Sequence, residues 1–190
     1  VSISTALSAK NGLLVRKRLA LESARKLDWV LFDKTGTLTK GEHGVTDIWA
    51  TKGHSKEDVL HLTASLEQNS EHIVGKGIVR KAEGEHVHLD KVTDFKALPG
   101  LGVQGTLHGS EVYIAASYRY IEENKLSVPA DIAKAVKKAA REGKTEVYLI
   151  TNEQVIGALG LADIVRDESK QTIATLKEMG IKTAMITGDS

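Results

Sequence analysis

Two short apolar runs, far apart in the chain, constrain its fold most. Trp29-Val30-Leu31-Phe32 ends at Asp33, and residues 181–186 end at Thr187-Gly188-Asp189. The first is a continuous apolar run and predicts a strand buried on both faces, as in a parallel sheet; the second also reads as a strand. The chain between the runs has a different character, with two helical patterns followed by several short strands. The pattern predicts one domain inserted into another. Residues 1–43 and 160–190 would form an α/β domain, and residues 44–159 the insert.

Within the insert, Ser55 with Asp58 three residues on resembles a capping box. Val59, Leu62 and Leu66 follow at helical spacing. A second helix over 73–83 carries Val74, Ile78 and Ala82 on one face, and Gly75 and Gly77 weaken it by up to ~1 kcal/mol each. Residues 92–98 look extended. Val103, Leu107, Val112 and Ile114 predict strands around a turn at His108-Gly109-Ser110. Pro129 suits the first turn of a helix bearing Ile132, Val136 and Ala139. Residues 145–151 and 154–159 predict a hairpin across Asn152-Glu153. Near the end, Asp167 is expected to cap a helix that Gly180 closes.

A chain of 190 residues falls between one and two domains of about 150 residues each. With 26 basic and 25 acidic side chains it lacks the bulk charge of a nucleic-acid binder. The absence of cysteine excludes a disulfide scaffold, a thiolate metal site and a thiol nucleophile. Basic residues are concentrated near the start, six against two acidic in 1–28. That segment reads as a solvated helix face or as one lying beside an anionic membrane.

Asp33 carries the chemistry. A carboxylate at the carboxyl end of a parallel strand stands where open α/β sheets place ligands. Lys34 and the small residues after it allow backbone N–H groups to approach phosphate. A carboxylate can attack phosphorus and form an aspartyl phosphate.

The heptapeptide Asp33-Lys34-Thr35-Gly36-Thr37-Leu38-Thr39 resembles the phosphorylation signature of P-type ATPases. Thr187-Gly188-Asp189 is similar to their second phosphorylation-domain motif. Residues 10–47 and 66–72, including the run Lys40-Gly41-Glu42-His43-Gly44-Val45-Thr46-Asp47, look most like the heavy-metal subclass and its copper exporters. The resemblance implies a Rossmann-like phosphorylation domain of the haloacid-dehalogenase superfamily. Its inserted nucleotide-binding domain would be α/β, with helices flanking an antiparallel sheet.

It also implies roles. Asp33 would take the γ-phosphoryl of ATP, with Lys34 beside it. An Asp33 oxygen and the Thr35 carbonyl would hold Mg²⁺, and Thr187 and Gly188 would contact the phosphoryl group. In the insert, Glu67, His72 of Ser70-Glu71-His72, Gly100 and Gly102 would bind adenine, and Gly109 matches a further glycine of the family. Ile73 stands where Pro is usual, Ser110 where Asn is, and Asp167 where Pro is. The implied partners are a heavy-metal ion, of which copper is expected, and the actuator and membrane domains of a parent at the cytoplasmic face of a membrane. The family's later Gly-Asp-Gly-x-x-Asn-Asp motif is absent from these residues. The chain is therefore expected to bind nucleotide without turnover, and to expose apolar sheet surface in 1–43 and 160–190.

Two other readings compete. A small phosphatase of the same superfamily would carry a second Asp two residues after the nucleophile, as general acid and base; that position is Thr35. A nucleotide-binding module without catalysis is the other. Gly100-Leu101-Gly102-Val103-Gln104-Gly105 fits a dinucleotide fingerprint literally, but strands rather than a helix are expected to follow it. The seven histidines show no metal-ligand spacing and read as solvated.

Overall fold

A computed structural model describes residues 9–12 and 14–187. Gly188 and Asp189 lie outside the described residues. In chain order the elements are α1 (Arg18–Ser23), β1 (Trp29–Asp33), β2 (Thr39–Ala50), α2 (Lys56–Glu67), α3 (Ile73–Gly84), β3 (Thr93–Leu98), β4 (Gly102–Leu107), β5 (Glu111–Ala116), α4 (Tyr118–Glu123), α5 (Ala130–Arg141), β6 (Thr145–Thr151), β7 (Gln154–Val165), α6 (Asp167–Glu178) and β8 (Lys182–Ile186). They fall into two units, one holding both ends of the chain and the other running from Thr39 to Ile164. The joints fall after Leu38 and Ile164. The expected joints at 43/44 and 159/160 lie inside β2 and β7.

In the first unit β1 and β8 pair in parallel, with Asp33 opposite Ile186. The expectation of a strand buried on both faces is corrected here. Trp29 is 54% and Leu31 62% exposed, and on the paired strand Met185 and Ile186 are exposed as well. A two-stranded sheet has too few neighbours to cover both of its faces. Asp167 is also not a cap. The N-cap of α6 is Arg166, without a side-chain cap bond, and Asp167 stands in the first turn, where its charge favours the helix dipole.

The Thr39–Ile164 unit is a six-stranded sheet in the order β2-β7-β6-β5-β4-β3. The four pairs from β3 through β7 are antiparallel. Strand periodicity divides its apolar residues between two cores. Val103, Ala115, Val147, Leu149 and Leu159 join Val59, Leu66 and Ile78 of α2 and α3 on one face. Ala116, Tyr148, Ile150 and Ala158 join Ile121, Ile132 and Val136 of α4 and α5 on the other. Covering both faces explains the nearly unbroken apolar runs in β6 and β7.

The local signals form as expected. Ser55 Oγ accepts from the Asp58 amide at 3.0 Å, and the Ser55 amide donates to Asp58 Oδ2 at 2.8 Å, completing the capping box. Donation from the Ser55 amide is the first cause that holds the Asp58 carboxyl below its ordinary range. Thr151 pairs with Gln154, leaving Asn152 and Glu153 as a two-residue turn with φ of 48° and 58°. Positive φ at both centres is the type I′ pattern of tight hairpins.

Candidate functional site

The first site lies where β1 and β8 end side by side. The parallel register places Thr187 one residue past the partner of Asp33. Asp33 and Thr35 are exposed, and Lys34 is half-buried. Thr35 (φ −79°, ψ 122°) and Gly36 (φ 77°, ψ −13°) have the angles of the two central residues of a type II turn. Its second centre needs positive φ, which glycine adopts without a steric cost. The far end of the loop is held on α6. The Leu38 carbonyl accepts from the Arg166 amide at 3.0 Å and from Ser169 Oγ at 2.9 Å. The carboxylate thus stands on a strand end, followed by a pinned turn with backbone groups beside it.

The second site is a cleft of about 550 Å³ in the Thr39–Ile164 unit, lined by Glu67, His72, Phe95, Gly100, Gly102 and Ser117 among others. Two separate stretches of sequence therefore meet here, one bringing Glu67 and His72 and the other Gly100 and Gly102. Gly102 has φ 148°, and an added Cβ would overlap the Ala115 carbonyl oxygen and lie 2.7 Å from Ala116 Cα. Gly100 has φ 72° in the turn between β3 and β4. Phe95, Leu98, Leu101 and Val103 give the cleft an apolar lining, as small-molecule clefts commonly have.

Gly109 is not brought into the cleft, a correction to the expected set. It sits in the β4–β5 turn, while Gly102 is at the other end of the same hairpin opposite Ala116. Five residues of strand separate the ends by roughly 16 Å. A glycine pattern in sequence does not say which end of a hairpin it occupies.

His72 is the N-cap of α3, and its Nδ1 accepts from the Val74 amide at 3.3 Å. With Nδ1 an acceptor, the neutral ring carries its proton on Nε2. Ile73 is 49% exposed at the first position of α3, so the helix starts here without the proline usual at this point.

Glu67 is 6% exposed at the end of α2. Burial raises its carboxyl pKa, and a hydrogen bond with the Ser70 side chain opposes that shift. Gly75 makes room for it, because a Cβ there would overlap Glu67 Oε2. A carboxyl raised in the fold adds stability below its unfolded pKa and loses that stability as pH rises through the folded value. Ionised Glu67 therefore costs stability at neutral pH. Glu67→Gln is expected to raise the thermal midpoint at neutral pH, and the gain is expected to vanish near about pH 4. Melting curves at the two pH values check this; a lower midpoint at neutral pH would contradict it.

Nothing in the sequence singles out Ser117. It is the N-cap of α4, yet its hydroxyl makes no capping bond. Its Oγ is buried without a partner, while its amide donates to the Leu101 carbonyl at 2.8 Å. That bond ties it to the Gly100-Leu101-Gly102 loop and leaves a polar handle on the cleft wall. Glu146, at the edge of β6, also lines the cleft, and burial raises its carboxyl pKa.

Comparison with known proteins gives the family and the fold relatives of the chain. Residues 27–190 match the haloacid dehalogenase-like hydrolase family. Over its whole length the chain is 45% identical to the copper-exporting P-type ATPase B of Archaeoglobus fulgidus, of which it covers 27%. It is 35% identical to a probable copper-exporting P-type ATPase V of Mycobacterium tuberculosis, covering 24% of it. The chain thus spans about a quarter of the length of these relatives. Among solved structures, a zinc-transporting PIB-type ATPase in its E2.Pi state superposes over 97% of this chain and 30% of its own, with a TM-score of 0.85 and 31% identity.

Proposed function

Because the chain belongs to the haloacid dehalogenase-like hydrolase family and matches copper-exporting P-type ATPases from end to end, we propose that it is the phosphorylation and nucleotide-binding region of a heavy-metal transporting P-type ATPase. ATP would bind in the cleft of the Thr39–Ile164 unit and phosphorylate Asp33. In the whole transporter, phosphorylation would drive export of a metal ion, of which copper is the one the relatives' names suggest. The actuator and membrane domains would be the partners, and the region would face the cytoplasm. No helix among the described residues is long and apolar enough to cross a membrane.

The observation that carries this reading is the convergence of Glu67, His72, Gly100 and Gly102 on one apolar cleft. In the proposed complex adenine lies between the α3 N-terminus and the glycine loop. His72 offers a ring face for stacking and an Nε2–H donor. Glu67 accepts from the exocyclic amino group, and Ser117 Oγ can either donate or accept. Glycines at 100 and 102 let the base approach the backbone.

At the other site an Asp33 oxygen attacks the γ-phosphorus, the bond from that phosphorus to the bridging oxygen breaks, and ADP leaves with the electron pair. Lys34 and Thr187 flank the transferred group. The Asp33 carboxylate and the Thr35 carbonyl are hard oxygen donors of the kind Mg²⁺ takes together with phosphate oxygens. Bound there, Mg²⁺ would neutralise phosphoryl charge. Thr35 gives no second carboxylate to activate water, so the acyl phosphate would persist, as a transport cycle needs and a phosphatase does not.

Calorimetric titration of the chain with ATP and with AMP tests the cleft. Both are expected to saturate one site, and His72→Ala to weaken both by about tenfold or more, as loss of base stacking worth about 1–3 kcal/mol requires. Equal affinity in His72→Ala would remove the cleft from the reading.

A further inference from the structure

Three imidazoles far apart in the chain converge on one carboxylate, away from the residues assigned above. His61 is in α2, His88 lies between α3 and β3, and His108 is in the β4–β5 turn. His61 Nε2 is 3.2 Å from Asp90 Oδ2, His108 Nδ1 is 3.7 Å from the same oxygen, and His88 Nε2 is 4.0 Å from Oδ1. The rings of His61 and His108 meet edge to face at 6.4 Å between centroids.

Asp90 is anchored at the centre. Its amide donates to Ser65 Oγ at 3.0 Å, and its carbonyl accepts from Gln68 Nε2 at 2.6 Å, both on or next to α2. His61 Nε2 is buried and makes no hydrogen bond, although it lies 3.2 Å from Asp90 Oδ2. A buried ring nitrogen without a partner calls for an explanation.

We propose that His61, His88, His108 and Asp90 form a binding site for a borderline divalent cation of the Zn²⁺ type. Two donors on a tetrahedral ion with bonds of about 2.0–2.1 Å stand about 3.3 Å apart. The His61–Asp90 separation is already at that spacing, and the His108–Asp90 separation is a few tenths of an ångström beyond it. The His88 side chain is 90% exposed and has room to swing in. As they are placed, no group of three or more His, Asp or Glu among the described residues could hold a metal ion, so an ion must draw the rings inward to bind. Three imidazoles and one carboxylate suit Zn²⁺ or Cu²⁺; Mg²⁺ and Ca²⁺ prefer oxygen alone. With no thiolate in the chain, the set does not favour a soft monovalent ion.

The test is a Zn²⁺ titration of the chain at neutral pH, followed by its imidazole resonances. The expected result is one saturable site, with the signals of His61, His88 and His108 shifting together and unaffected by excess Mg²⁺. His108→Asn and Asp90→Asn are expected to weaken it by about tenfold or more. Asparagine tolerates the φ of 50° at His108, so that variant keeps the turn. His72→Ala is expected to bind Zn²⁺ as the unchanged chain does. Absence of a saturable site would overturn the proposal, and so would a site that survives both asparagine variants. Signals that respond to pH but not to Zn²⁺ would assign the cluster to protons and equally overturn it.

Discussion

Gly77→Val is expected to lower the stability of the Thr39–Ile164 unit by about 3 kcal/mol, on the order of 10 °C in its thermal midpoint. Gly77 faces the backbone of β2. A Cβ built there would overlap the His43 carbonyl oxygen, with the carbonyl carbon at 3.1 Å and Leu161 Cδ2 at 3.5 Å. A carbonyl in a sheet cannot rotate away as a side chain can, so α3 must lift off the sheet or β2 must bend. Either response opens the core that Ile78 and Leu161 share. Helix propensity argues the other way, because valine is a better helix former than glycine by a few tenths of a kcal/mol. Urea unfolding of Gly77→Val beside Gly84→Ala separates the two effects. Gly84 ends the same helix with nothing within 4 Å of an added Cβ, so its substitution is expected to be neutral or to gain up to about 1 kcal/mol. An increase in both midpoints would show that α3 does not approach β2 so closely.

The same glycine marks a limit of what the sequence says. Read alone, Gly75 and Gly77 weaken a helix. In the fold they are where another atom comes close, the Glu67 carboxylate for one and the His43 carbonyl for the other. Periodicity exposes what a helix buries but not how near its neighbour stands. The helices at Lys56–Glu67, Ile73–Gly84 and Ala130–Arg141 were legible because local spacing and caps specify them. The Asn152-Glu153 hairpin was legible because turn chemistry is equally local.

For β1 the sequence pointed two ways. The apolar run predicts a strand buried on both faces, whereas the resemblance implies exposed apolar sheet surface in 1–43 and 160–190, and the exposure of Trp29 and Leu31 follows the second. The cleft was half legible. Glu67, His72, Gly100 and Gly102 came from motif resemblance, whereas Ser117 became visible only as a buried hydroxyl without a partner. The meeting of His61, His88 and His108 at Asp90 is a product of tertiary folding that no spacing along the chain encodes.

Asp33→Asn is expected to abolish acid-stable label from γ-labelled ATP in the whole ATPase to which this region is proposed to belong, with a loss of about 10³-fold or more. The substitution exchanges one oxygen for an NH₂ of similar size at the end of β1. It preserves the backbone pairing with Ile186 and the turn at Thr35-Gly36. What it removes is the ionised oxygen. An amide nitrogen has its lone pair delocalised into the carbonyl, and the amide oxygen carries no full charge, so neither attacks phosphorus usefully. ATP affinity is expected to be unchanged, because the proposed base contacts all lie in the Thr39–Ile164 unit. His72→Ala should show the opposite split, with weaker binding but label recovered at saturating ATP. The two variants together distinguish a nucleophile from a binding residue. Label retained in Asp33→Asn would place the acyl phosphate on another carboxylate, and equal loss of binding and label in both variants would dissolve the two-site assignment.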